Sequence, residues 1–322
     1  MDIISIGDAT TDMFLNLHEA NARCSIKTET CELCFTYADK IPVESIERID
    51  GAGNASNNAV GSARLGMETA IMSILGGDDT GDRILARWKK EGVATTFVTR
   101  DKNRNTNFST VLNFRGERTI LVYHEKRNYV FSKKLPKTSW VYYTSMAKGS
   151  EVLHHALLAH CKKTHAKLVF QPGTFQLKLG IEELAPLIAA SELTIVNKEE
   201  AEQLVGDSTR DVRVLLSRLR HYGCRTAVIT DGPDGSYTYD GSRYVYLGIF
   251  DTPVVERTGC GDAYATGLIA ALHHEKPLAE AMRWGTANSA SVLGSVGPQK
   301  GLLTRRGIAA LLKRFPAQPS EL

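Results

Sequence analysis

Residues 257–267 read RTGCGDAYATG. Gly259, Cys260 and Gly261 read as a turn, and "DAYATGLIAALHH" after them as a helix. Ala263, Ala265, Gly267, Ala270 and Ala271 are small, while Leu268, Ile269 and Leu272 are apolar, so this helix packs closely on nearly all sides. The start of a helix leaves backbone N–H groups without internal partners and carries partial positive charge. Glycines let the preceding backbone wrap an anion. The stretch therefore predicts an anion hole suited to phosphate. Asp262 has two readings. On spacing alone it is a helix N-cap. Beside an anion site it is also a general base for a hydroxyl that attacks phosphorus, the arrangement phosphoryl transfer needs.

Outward from this stretch, strands alternate with helices. Strands are expected at 2–7, 68–75, 139–146, 166–173, 191–197 and 224–232. Helices are expected at 54–66, where Gly66 reads as the C′ residue, and at 78–93, 151–165, 198–206 and 211–223. Two short β pieces fall around 236–247, and two small-residue helices run from about 261 to 294. This alternation predicts a parallel sheet with helices on both faces. Two stretches break the rhythm. Residues 13–50 and 107–124 are β-like, rich in Thr, Phe and Tyr, and read as one small additional sheet. In the second, Gly116 marks a hairpin turn.

Composition excludes several classes. Of 322 residues, 43% are hydrophobic and 23% charged, which is ordinary for a globular protein. The net charge of +3, with no Lys/Arg block, gives no footprint for nucleic acid. No window approaches about eighteen uninterrupted apolar residues, so no membrane span is expected. No signal peptide is visible, and the expected location is the cytoplasm. The six cysteines are scattered and suit a reducing compartment better than a disulfide scaffold. "CELC" at 31–34 is a lone CxxC without a second ligand pair, and reads as part of a β segment rather than a zinc site. No GxxxxGK[ST] P-loop occurs, and Gly7 is followed by "DATTDM" rather than a dinucleotide fingerprint.

"TGCGDAYATG" resembles the C-terminal signature of the ribokinase-like (PfkB) carbohydrate kinases, usually written near D-T-x-G-A-G-D-x-F-x-x-G. "GDATTDMFLNL" resembles the first strand of that family, and "AGNASNNAVGSARLG" at 52–66 its G-G-x-x-x-N-x-A motif. "GGDDTGDRILARWKKEGVATTFV", "NKEEAEQL" and "TDGPDGSY" resemble three further segments. The motifs stand in family order over essentially the whole chain. The resemblance implies a three-layer α/β/α fold with a mostly parallel central sheet and a small β lid. Residues 1–322 would be one kinase domain, with the lid contributed by about 13–50 and 106–124.

The resemblance also implies roles. Asp262 would be the catalytic base, and the backbone of Gly259, Cys260 and Gly261 would stabilise the moving phosphoryl group. Asp12, Gly53, Asn54 and Asn57 would hold acceptor hydroxyls. Thr230, Asp231 and Gly232 would line the nucleotide, with Asn288 near its base. Asn197 and Glu200 would position phosphate and Mg²⁺, Glu200 through water. The implied activity is ATP-dependent transfer of the γ-phosphate to a hydroxyl, a primary one, of a sugar such as ribose. The alternatives are a nucleoside kinase of the same family and an inactive sugar-binding protein. A homodimer through the lid sheet is the expected assembly.

The chain departs from the pattern at four places. Ala52 replaces a glycine, which matters only if that position needs positive φ. Cys260 stands where alanine is usual, and reads as a small buried residue rather than a nucleophile. Glu256 replaces a common aspartate of the monovalent-cation site, which counts against activation by K⁺. "QPGTFQLKLG" at 171–180 departs from the D-x-N-x-R pattern of the fructokinase and ketodeoxygluconate kinase branches. Each carried-over residue also has a plain structural reading. Asp12 could cap a turn, Asn54 and Asn57 the helix after them, and Asn197 with Glu200 could be an ordinary helix start. Thr230–Gly232 could be only a turn. Arg104, Arg115, Arg118 and Lys126 read as solvated lid charges.

Overall fold

The structure is a computed structural model that describes residues 1–18, 20–25, 30–115, 117–132, 134–206, 209 and 211–322. The chain runs through β1 (Ile3–Ile6), β2 (Thr10–Leu17), β3 (Asn21–Ser25), β4 (Thr30–Cys34), β5 (Val43–Ala52), α1 (Asn54–Arg64), β6 (Thr69–Met72) and β7 (Ile74–Gly76). Then come α2 (Asp79–Lys90), β8 (Thr99–Asp101), β9 (Asn107–Phe114), β10 (Glu117–Tyr123), β11 (Trp140–Tyr143), α3 (His154–Thr164) and β12 (Lys167–Phe170). Next are α4 (Thr174–Leu177), α5 (Ile181–Ala189), β13 (Ser191–Asn197), α6 (Lys198–Val205), α7 (Val212–His221), β14 (Thr226–Thr230), β15 (Ser236–Tyr239) and β16 (Tyr244–Leu247). The last are α8 (Cys260–His273), α9 (Leu278–Leu293), α10 (Arg305–Arg314) and β17 (Ser320–Glu321).

Nine strands form the central sheet in the order β17-β16-β15-β14-β13-β12-β11-β1-β6. From β6 to β14 the neighbours are parallel, and from β14 to β17 antiparallel. Parallel strands need crossovers, and the helices supply them on both faces. Alternate residues serve opposite faces. Ile4, Ile6, Val141, Tyr143, Leu168 and Phe170 pack with side chains of α3, α5, α6 and α7. Ile3, Trp140, Tyr142, Val169, Leu193 and Ile195 pack with α8 and α9. The fold is the three-layer α/β/α architecture that the sequence resemblance implies, with a large, mostly parallel sheet between helices.

A four-stranded sheet, β10-β9-β2-β5, stands apart from the central one. Its strands come from the two irregular stretches of sequence. β2 runs parallel to β9 and antiparallel to β5, so the sheet leaves β1 directly and returns directly into α1. β10 is its edge strand and is exposed along its whole length. Gly116, placed by the sequence in the β9–β10 turn, lies outside the described residues.

Several expectations need correction. The strand expected at 68–75 is two, because β6 joins the central sheet while β7 turns away to pair with β8. Helices α5 and α10 and strand β17 occupy sequence that carried no assignment. Cys31 is disulfide-bonded, although the cysteine pattern favoured reduced thiols. The β3–β4 backbone register sets Cys31 opposite residue 24. Cys34, Cys161, Cys224 and Cys260 are free. The CELC segment lies wholly within β4. Among the described residues, no group of three His, Cys, Asp or Glu side chains is placed to hold a metal ion. No helix among them is long and apolar enough to cross a membrane.

Candidate active site

The C-terminal ends of β1, β12, β13 and β14, the start of α8 and the inner side of the four-stranded sheet enclose a cavity of about 840 Å³. Open α/β sheets place ligands at this end of their strands. Asp262 sits in its wall and is 6% exposed. The helix begins one turn earlier than an Asp262 cap would require. Its N-cap is Gly259, at φ 80°, and no side chain caps it. The first backbone bond of the turn runs from Ala263 N–H to Gly259 C=O, 2.8 Å. The N–H groups of Gly261 and Asp262 precede it and so have no partner within the helix. Gly259, Gly261 and Asp262 all line the cavity. An added Cβ at Gly259 would collide with Pro298, so both the left-handed turn and the close approach require glycine.

The Asp262 carboxylate is free of helix capping and held from elsewhere. Asn57 Nδ2 donates to Oδ2 at 2.8 Å. Gln171 Nε2 donates to Oδ1 at 3.4 Å. Burial pushes the carboxyl up to about 6, against the downward pull of those two amides. The cap reading of Asp262 is thereby replaced: it is an oriented, buried carboxylate beside unsatisfied N–H donors.

Asp12 lies on β2 and faces the same cavity. Burial pushes it up to about 7; Ser109 pulls it down, and the nearby Glu256 charge adds to the rise. Gly53 is the N-cap of α1 at φ 99°, and a Cβ there would lie 2.8 Å from Asp8 C=O. Ala52 does not share that strain: it is absent from the positive-φ residues, while Gly51 and Gly53 beside it are at 75° and 99°. Asn54 lines the cavity at the start of α1. Asn57 caps nothing, because its Nδ2 serves Asp262 and its Oδ1 accepts from Gln299 at 2.9 Å.

Asn197 and Glu200 do form an ordinary helix start. Asn197 Oδ1 accepts from Glu200 N–H at 2.7 Å, and Glu200 accepts from Asn197 N–H at 2.8 Å. Both nevertheless line the cavity. Burial raises the Glu200 carboxyl, the Asn197 N–H lowers it, and the Asp262 charge raises it further. Thr230, at the end of β14, lines the cavity, whereas Asp231 and Gly232 do not. Asp231 pairs with Lys198 at 2.8 Å, and Gly232 opens a short 3₁₀ turn. Asn288 is a correction. It has no exposed surface, donates to Ala263 C=O at 2.8 Å and accepts from Leu303 N–H at 2.9 Å, so it braces α8 against α9. Cys260 does not line the cavity, and burial pushes its thiol up to about 11, consistent with a packing role.

Sequence reasoning missed other wall residues. Gln171 opens the stretch that departs from the family pattern, yet it links Asp262 to Tyr142, whose hydroxyl donates to its Oε1 at 3.0 Å. Arg118 is not merely a solvated lid charge. It lines the cavity and pairs with Glu256 at 3.5 Å across from β10. Glu256 also accepts from Thr258 N–H at 2.6 Å, from the Thr258 hydroxyl and from Gly297 N–H at 3.3 Å. Asp8, His124 and Phe175 complete one end of the cavity. The GD dipeptide after β1 was the only signal for Asp8.

A buried, oriented carboxylate beside unpaired N–H groups stands at the strand ends of this α/β fold, and the family match below makes the protein a phosphotransferase with an alcohol acceptor. The model of the pfkB family carbohydrate kinases matches residues 13–305, and the chain belongs to that family. It is 28% identical to the aminoimidazole riboside kinase of Salmonella typhimurium, over 83% of this chain and 88% of that one. It is 23% identical to the ATP-dependent 6-phosphofructokinase of Thermoanaerobacterium thermosaccharolyticum, over 92% of this chain and 89% of that one. The solved ribokinase of Arabidopsis thaliana, complexed with ribose and ATP, superposes with a TM-score of 0.78 at 17% identity, covering 97% of this chain and 98% of that one. That likeness shows the fold.

Proposed function

We propose that this protein transfers the γ-phosphoryl group of ATP to a hydroxyl, a primary one, of a sugar such as ribose or a relative of it. One observation carries the reading: Asp262 lies in the cavity wall with both oxygens oriented by side-chain amides, next to the unpaired N–H groups that open α8. A hydroxyl held by Asp12, Asn54 and the backbone at Gly53 would lie between the two. Asp262 accepts its proton as the oxygen attacks phosphorus in line, and the leaving bond to ADP breaks. The N–H groups of Gly261 and Asp262, with the backbone around Cys260, stabilise charge on the transferring group. Asn57 and Gln171 keep the carboxylate ionised and aimed.

ATP lies along the strand ends at Asn197 and Thr230, with Asp231 and Gly232 shaping the turn beyond. Mg²⁺ fits the donor set: Glu200 presents a half-buried carboxylate, already bonded once to backbone and close enough to Asp262 to feel its charge. Such a group suits a cation that keeps several waters. When bound there, the ion would neutralise phosphate charge. The four-stranded sheet acts as a lid that excludes water, and its exposed edge is where a second copy would pair. An inactive sugar-binding protein would have no use for an oriented base.

A nucleoside acceptor is the second reading. Tyr123, Phe175 and His124 on the cavity wall favour it, because they offer faces to a heterocycle. The test is ATP consumption over ribose, fructose, phosphosugars and nucleosides, with wild type and Asp262→Asn. Turnover of at least one acceptor is expected, with a loss of roughly 10²–10⁴-fold in the variant. An unimpaired variant would remove Asp262 from the mechanism.

A further inference from the structure

The end of the cavity walled by Asp8, His124 and Phe175 is not used by the chemistry above. Asp8 is 5% exposed and is pinned through one oxygen only. Its Oδ2 accepts from the Tyr129 hydroxyl at 2.7 Å and from Ala147 N–H at 2.8 Å. Its Oδ1 is buried and has no hydrogen-bond donor among the described residues. A buried carboxylate oxygen without a donor is costly, and in a ligand cavity that cost marks a place for a donor from the ligand. His124, next along the chain from β10, interacts electrostatically with Asp8. Its Nδ1 is buried and equally without a partner, and its ring meets the Phe175 ring edge-on at 5.7 Å. Burial raises the Asp8 carboxyl, against the downward pull of the Tyr129 hydroxyl, the Ala147 N–H and the charges of His124 and of Arg127, which stands off the cavity wall. Ile120 and Val122 continue the wall with apolar surface.

We infer that Asp8 Oδ1 and His124 Nδ1 form a second acceptor subsite, which selects substrates carrying a neutral hydrogen-bond donor in addition to the phosphorylated hydroxyl. The inference rests on the kinase reading of the same cavity. Two chemical sources can supply the donor: a heteroaromatic N–H on the sugar, or the anomeric hydroxyl of the sugar itself. Asp8→Asn gives a pointed test. Ala147 N–H still requires an acceptor, so the amide oxygen takes the Oδ2 position and the NH₂ turns to the cavity. The subsite then changes from acceptor to donor.

The experiment compares matched acceptors by kcat/KM and, independently of turnover, by calorimetric binding. One pair is inosine and 1-methylinosine, which lacks the ring N–H. The other is ribose and 1,4-anhydroribitol, which lacks the anomeric hydroxyl. Wild type should favour the donor-bearing member of one pair by at least about tenfold. Asp8→Asn should collapse or reverse that preference, and His124→Ala should weaken it. The pair that responds identifies the source. If neither pair is discriminated, or if discrimination survives Asp8→Asn in a folded protein, the subsite is overturned. Binding with Asp8-dependent discrimination but no phosphorylation would overturn the kinase reading and leave the subsite standing.

Discussion

Asp262 and Asp12 share a cavity and a physical predicament, since each carries a carboxylate that burial resists ionising. Asp262 must be ionised to accept a proton. With its carboxyl near 6 in the free protein, kcat/KM should fall inversely with proton concentration below about pH 6, read as a unit slope in log(kcat/KM) against pH. Asp12 bears on stability. Its folded value, about 7, lies above that of an unfolded aspartate, so its contribution is greatest below about pH 4 and is lost as pH rises through 7. At pH 8 the buried charge is a penalty that asparagine lacks. Asp12→Asn should therefore melt higher than wild type at pH 8, by the equivalent of about 1–3 kcal/mol, with the advantage gone by pH 4. Its activity should fall at both. Melting curves and kcat/KM across that range check both parts. At this scale the sequence exposed Asp262, Asp12 and Asn57 through their motifs. It could not expose Gln171 or Asp8, whose partners lie 91 and 139 residues away and are met only after folding. It also misread the cap, because a left-handed Gly259 starts α8 earlier than the aspartate suggests.

Helix α8 shows how an element can be legible from composition. Its small residues predicted close packing on nearly all sides, and residues 262–271 are indeed buried. The close approach to α9 is at Gly267, where a Cβ would lie 2.5 Å from the Trp284 carbonyl oxygen. Gly267→Val should push the helices apart and destabilise the fold by about 1–3 kcal/mol or more, read as a lower melting temperature. Because α8 also opens onto the cavity, activity should fall even below the melting transition. Helix α5 was harder to see. Its Pro186 removes a backbone donor in mid-helix, a stop signal in sequence, and packing of Leu184, Leu187 and Ile188 overrides it. Helix α10 buries only Ile308, too thin a stripe to stand out. The split of the strand at 68–75 was invisible because both halves are equally apolar, and only their partners differ.

Across the whole molecule, strand–helix alternation was enough to forecast the layered sheet, since each parallel step needs a crossover. The excursions were visible as the places where alternation failed. What joins them to the rest was not. Arg118 reaches from the lid to Glu256, which in turn braces the loop ahead of α8 through Thr258. Arg118→Met should cut this tie between the four-stranded sheet and the loop ahead of α8. The expected outcome is a raised KM for the acceptor with little change in melting temperature, since the arginine is 36% exposed and its pair adds little to stability. Every Glu256 oxygen already has a donor or cation from the protein, so replacing K⁺ by a bulky organic cation should leave the rate unchanged.

The exposed edge strand carries one more consequence. Ile120, Leu121, Val122 and Tyr123 are 41–56% exposed, yet Ile120, Val122 and Tyr123 also line the cavity. An acceptor that draws the lid down would dehydrate them. Binding should then have a negative heat capacity change, with an enthalpy that grows more favourable on warming. Titration calorimetry at several temperatures would register the lid's movement as a slope, without any label on the protein. Ile120→Ser together with Val122→Ser should flatten that slope.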